Sequence, residues 1–204
     1  HQVWPNQWII FARQGLDLSD YPAIVEYLSA YREKLEPRPA GWRPSRPDEK
    51  WPGRKSGTYR WSEIQDKTAY WRNFSNEKVI STKISSRPTF SVDNSGSILS
   101  NTAYMIDAGS DNYFVSALLN SNLASFLFKS IFSVKAGGFF EIQPEGLGAF
   151  PIPSANPAQK DQVSRFARAA QLTAQKRHSV QQAIIRRIPD LAANPASATL
   201  TTRL

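Results

Sequence analysis

Between Asn112 and Ile131 the residues Val115, Leu118, Leu119, Leu123, Phe126, Leu127 and Ile131 recur at helical spacing. They form an apolar face too broad for a helix lying on open solvent. Just upstream lie three short runs of another kind. Val79-Ile80-Ser81-Thr82-Lys83-Ile84-Ser85 is rich in branched residues, Thr89-Phe90-Ser91-Val92 alternates, and Ala103-Tyr104-Met105-Ile106 follows the turn signal Asp93-Asn94-Ser95-Gly96. An apolar helix next to short strands has one economical solution, a small sheet packed on a core helix. The expected class is therefore α/β (α+β), with a small mixed sheet. Phe139-Phe140-Glu141-Ile142 reads as a further short strand behind the break at Gly137-Gly138. Val163, Phe166, Ala170, Val180 and Ile184 predict one long C-terminal helix or a helical hairpin.

The N-terminal third is less regular. Trp8, Ile9, Ile10 and Phe11 predict a short buried strand within residues 3–12. Ile24, Tyr27, Leu28, Tyr31 and Leu35 predict one helix, capped by Ser19 or Asp20 and ended by Pro37 and Pro39. Residues 37–57 hold five prolines and three glycines, which makes them a loop. The same stretch carries Arg38, Arg43, Arg46, Lys50, Arg54 and Lys55, with Trp42 and Trp51 between them. The expected organisation is a recognition domain over 1–156 including this loop, a helical spacer over 157–189, and a flexible tail over 190–204. A chain that opens on His1 and not on Met reads as a piece of something longer.

Composition removes several functions. There is no cysteine and there are two histidines, His1 and His178. Cysteine nucleophiles, cysteine zinc sites and histidine-rich metal sites are excluded, and the lack of cysteine suits a reducing cytosol. His178 sits among Gln175, Lys176 and Arg177, poor company for a triad base. No glycine-rich phosphate loop and no Gly-x-Ser-x-Gly elbow is present. No apolar run spans a bilayer, and no signal pattern opens the chain. The net charge is +8, concentrated in two blocks. Residues 32–87 hold 14 basic against 7 acidic residues, and residues 159–204 hold 8 against 2, around a mildly acidic centre. Such blocks attract phosphate backbones and anionic membranes alike, and the plainest alternative is a solvated surface.

The candidate contacts lie at strand ends and loops: Arg60 and Trp61, Lys83, Arg87 and Thr89, Asn101, and Lys135. Arginine and lysine donate to guanine edges and phosphates, and asparagine bridges adenine. One competing motif is Pro47-Asp48 followed by Glu63-Ile64-Gln65, a loose imitation of a magnesium nuclease site in which Gln65 stands where lysine is expected. A third reading takes the tryptophan-rich segment and the C-terminal helix as a protein-interaction module.

Several ordered strings resemble a known family. They are Leu35-Glu36-Pro37-Arg38, Tyr59-Arg60-Trp61-Ser62-Glu63-Ile64-Gln65, Glu77-Lys78-Val79-Ile80-Ser81-Thr82-Lys83-Ile84 and Phe90-Ser91-Val92-Asp93. Tyr21-Pro22 ahead of the first of these, then Ala117-Leu118-Leu119-Asn120-Ser121-Asn122-Leu123, Gly137-Gly138 and Leu147-Gly148-Ala149-Phe150-Pro151-Ile152-Pro153 complete the set. Together they resemble the TaqI-like C-terminal specificity domain, the target-recognition part of type II and IIG restriction-modification adenine-N6 DNA methyltransferases. The resemblance implies a bacterial cytoplasmic protein that reads double-stranded DNA, without a membrane. It also implies a phage-defence or restriction context and an upstream methyltransferase domain that binds S-adenosylmethionine. The Asn-Pro-Pro-Tyr motif of that domain is absent here, so the chain is expected to hold no cofactor and no metal, and to catalyse nothing itself.

Overall fold

The computed structural model describes residues 7–67 and 69–191, with backbone alone for 189–191. It divides into two compact units, Pro5–Trp71 and Arg72–Leu204.

In the first unit the expected strand is not formed. Residues 7–12 are irregular and Trp8 is 89% exposed, while residues 3–6 lie outside the described residues. This segment is tethered by single bonds, such as the Ile64 amide to the Ala12 carbonyl at 2.7 Å, and not by a ladder. The expected single helix is two short ones, α1 (Pro22–Ser29) and α2 (Arg32–Leu35). No side chain caps α1, and Ser19 instead donates its amide to Asp17. The tyrosines that suggested a buried face, Tyr27 and Tyr31, are exposed and pair with each other, ring centroids 5.4 Å apart.

What holds this unit is the Arg54 side chain. Its guanidinium donates to the carbonyls of Leu35, Glu63, Arg60 and Trp61 at 2.7–3.2 Å and stacks 4.5 Å from the Tyr59 ring. Its neighbour must be glycine. A Cβ on Gly53 would lie 2.2 Å from the Glu36 carbonyl oxygen and 2.7 Å from the Trp51 indole nitrogen. Trp51 donates to Glu36 and meets Trp42 edge-on. The basic loop is thereby pinned through its tryptophans.

The second unit realises the expected class. Strand β1 (Lys78–Thr82) is central, between β3 (Phe90–Asp93) and β4 (Ala103–Ile106). A separate two-stranded ribbon pairs β2 (Ile84–Ser85) with β5 (Phe140–Glu141). Every ladder is antiparallel. The core helix is broken. Helix α3 (Asn112–Leu119) and helix α4 (Asn122–Ile131) meet at 83° across Asn120-Ser121. The break has a chemical cause. Ser121 caps α4 by accepting from the Ala124 amide, and the Asn120 side chain turns to the sheet.

The bend rotates the buried face. Ala124 and Phe128 point into the core, whereas Leu123 and Phe126 are each 67% exposed. Phe128 is enclosed by Phe132, Phe150 and Phe90, with ring centroids 5.0, 5.3 and 5.9 Å away. Val79, Val92, Tyr113, Leu119, Phe140 and Ile142 complete the core. After α5 (Pro144–Gly148), the C-terminal element is one helix, α6 (Pro157–Leu191), about 52 Å long at 1.5 Å per residue. The remainder of the expected tail, 192–204, lies outside the described residues. Among the described residues no single helix is long and apolar enough to cross a membrane.

The free edge of β3 is closed by side chains. Asn120 accepts from the Phe90 amide and donates to its carbonyl, at 3.0 and 2.8 Å. Gln171 of α6 does the same for Val92, at 2.9 and 2.8 Å. Two carboxamides thus stand where a neighbouring strand would, which blunts an edge that otherwise invites pairing. Gln171→Leu leaves both Val92 groups without their partner. We expect a loss of about 1–3 kcal/mol, read as a lower urea midpoint at unchanged m-value.

Candidate nucleic-acid interface

Lys83 follows β1 directly. Its amide bonds the Thr102 carbonyl at 2.7 Å, and its own carbonyl accepts from Ile142 at 2.8 Å. This ties the turn carrying Asn101 and the end of β5 to one point. The β2–β5 ribbon then places Ile84 opposite Glu141 and Ser85 opposite Phe140. Glu141 gathers two of the candidate cations, with Lys135 Nζ at 2.8 Å and Lys83 Nζ at 3.4 Å. Hydrogen bonds from Lys135 and Lys83 hold the Glu141 carboxyl below the ordinary range, against a weaker opposing effect of burial. Lys135 reaches this position through the tight turn Ala136–Gly138, where Gly137 and Gly138 take φ of 80° and 77°. Few residues other than glycine accept two such values in a row.

Arg87 and Thr89 continue from β2. The Ser85 hydroxyl donates to the Arg87 carbonyl at 2.5 Å and lies 3.3 Å from the Thr89 hydroxyl. Both residues line an open cleft of about 380 Å³ with Pro88, Asn120, Asn122 and Ser125. No acid lines it. Among the described residues Arg87 has no acidic partner, nor do Arg43, Arg46 and Lys50 of the basic loop.

Five of the seven candidates, Lys83, Arg87, Thr89, Asn101 and Lys135, therefore gather around the β2–β5 ribbon. Arg60 and Trp61 belong to the other unit. There the Arg60 side chain is exposed while its carbonyl accepts from Arg54, and the Trp61 ring lies under the Arg32 guanidinium at 4.9 Å. Asn122 and Ser125 were not anticipated. The signal was the polar string Asn120-Ser121-Asn122 inside an otherwise apolar helical pattern.

Glu63, half of the nuclease-like motif, is committed to structure. It is 6% exposed, and its two oxygens accept the Gly15 and Arg60 amides at 2.8 and 2.7 Å. Burial pushes its carboxyl up, but those amides and the Arg60 and Arg54 charges outweigh it and hold the group low. Asp48 sits exposed in the loop, and no cluster of three potential metal ligands occurs among the described residues.

A family model, that of the TaqI-like C-terminal specificity domain, matches residues 12–152. The chain belongs to that family. No curated protein matches it. The specificity domain is a DNA-recognition module associated with methyltransferases, and the matched span covers all seven candidate positions. The ribbon, the cleft and the basic loop all lie within the matched span.

Proposed function

We propose that this chain is the sequence-reading part of an adenine-N6 DNA methyltransferase of a restriction-modification or phage-defence system. In this reading it binds a specific double-stranded site and performs no chemistry itself. The parent's methyltransferase domain supplies S-adenosylmethionine and the transfer, in the bacterial cytoplasm. The observation that carries the reading is the convergence of Lys83, Arg87, Thr89, Asn101 and Lys135 on one ribbon, in a chain of this family. The lysines suit phosphates, which position without reading. Arg87, free of any acid, suits a guanine edge or a phosphate of the site.

The test is a random duplex pool offered to the chain at two salt concentrations, with bound DNA sequenced. We expect an enriched motif and an affinity that falls steeply with salt. Arg87→Ala is expected to weaken the selected site by about 1–3 kcal/mol and to relax one position of the motif. Uniform weakening across all sequences would make Arg87 a phosphate contact.

One observation favours a second role alongside the first. Phe166, Val180 and Ile184 of α6 are 67, 58 and 56% exposed, an apolar stripe suited to docking on another part of the parent protein or on a partner subunit. Stable association without any DNA affinity would put this role first.

A further inference from the structure

The β2–β5 ribbon has an outward face that its role as a scaffold does not explain. Side chains alternate along a strand, and here Phe140 is buried while Phe139 is exposed and Glu141, on the side away from Phe140, is half-buried. Ile84, directly opposite Glu141, shares that face. Ile84 is 56% exposed and Phe139 44%. Phe139 is held by the bond from the Lys135 amide to its carbonyl at 2.7 Å. The two apolar side chains are flanked by the lysines that Glu141 holds, Lys83 and Lys135.

We propose that this face enters the major groove of DNA, with Phe139 and Ile84 touching the 5-methyl group of a thymine and Lys83 and Lys135 reaching the flanking phosphates. The proposal rests on the reading of the chain as a duplex-binding domain and adds which surface reads, and what it reads. The major groove is about 12 Å wide and admits a two-stranded ribbon. Apolar side chains there distinguish thymine by its methyl group. Cations beside the apolar pair fit a polyanion, whereas a protein-docking patch is depleted of lysine. Glu141 leaves the trio a net single positive charge, and it fixes both ammonium groups beside the apolar pair.

The test uses the whole chain and its selected duplex, made once with thymine and once with uracil, which lacks only the methyl group. For the unaltered protein we expect uracil at one position to weaken binding about tenfold. Phe139→Ser is expected to weaken the thymine duplex by a similar factor and to show no further loss with uracil. Its thermal unfolding serves as the check that the ribbon is intact. If Phe139→Ser binds the thymine duplex like the unaltered chain, or if no thymine methyl matters, the groove face is wrong and the DNA-recognition role stands. If the unaltered chain binds no duplex even at low salt, both fall together.

Discussion

Replacing Asp93 with asparagine lowers the free energy of unfolding by about 3–5 kcal/mol. The expectation follows from burial. Lys78 and Asp93 sit opposite each other on β1 and β3, both fully buried, with Nζ 2.6 Å from Oδ2. Lys78 also donates to the Phe74 carbonyl, and Asp93 accepts from the Ser95 amide and hydroxyl and the Ser97 amide. The substitution keeps the shape and removes the charge, so an ammonium is left in the core with no counter-ion. Urea unfolding measures the loss. A value below about 1 kcal/mol would mean that water reaches the pair.

The same variant has a pH signature. Burial alone would raise the Asp93 carboxyl, but the hydrogen bonds from Lys78 and Ser95 and the Lys78 charge hold it below its ordinary value. A depressed group stabilises the fold above its unfolded pKa and stops doing so as pH falls through its folded one. The gap between the native protein and Asp93→Asn is therefore constant from neutral pH to about 5. It narrows below about pH 4. A gap that widened toward acid would contradict the assignment.

The second large effect is at Phe128. Phe128→Ala removes a fully buried ring and three aromatic neighbours, at a cost of about 3–5 kcal/mol. Phe126→Ala, on the same helix but 67% exposed, is expected to change stability by no more than about 0.5 kcal/mol. Comparable losses at the two positions would mean that α4 presents a different face to the core.

That contrast also marks how far periodicity carries. The runs at Val79, Phe90 and Ala103 became strands because a preference for extended backbone is a local property of the chain, although the 79–85 run divides at Lys83 between two sheets. Of the helical face expected over 112–131, Leu119 is buried and Val115, Leu118 and Leu127 are half-buried, while Leu123, Phe126 and Ile131 are exposed. Asn120 spends its amide on Phe90 and Ser121 spends its hydroxyl on Ala124, and such side-chain bonds to backbone do not register in an apolar pattern. The expectations for Trp8, Tyr27 and Tyr31 failed for a related reason. A run of large apolar residues argues for burial, but only tertiary packing decides it, and this unit is organised by the arginine network of Arg54. The candidate cations were legible one by one. Their meeting at Glu141 was not, since β2 and β5 pair across more than fifty residues and nothing local encodes the pairing.

The Gln171 clasp on Val92 gives the life of this chain a timetable. The two residues are 79 positions apart. At roughly 5–20 residues per second, a ribosome that has made β3 needs roughly 4–16 s more to make the residue that seals its edge. During that interval the nascent strand offers one unprotected side to any neighbouring chain. Synthesis from closely spaced ribosomes is therefore a stage at which this edge is open to pairing with another chain.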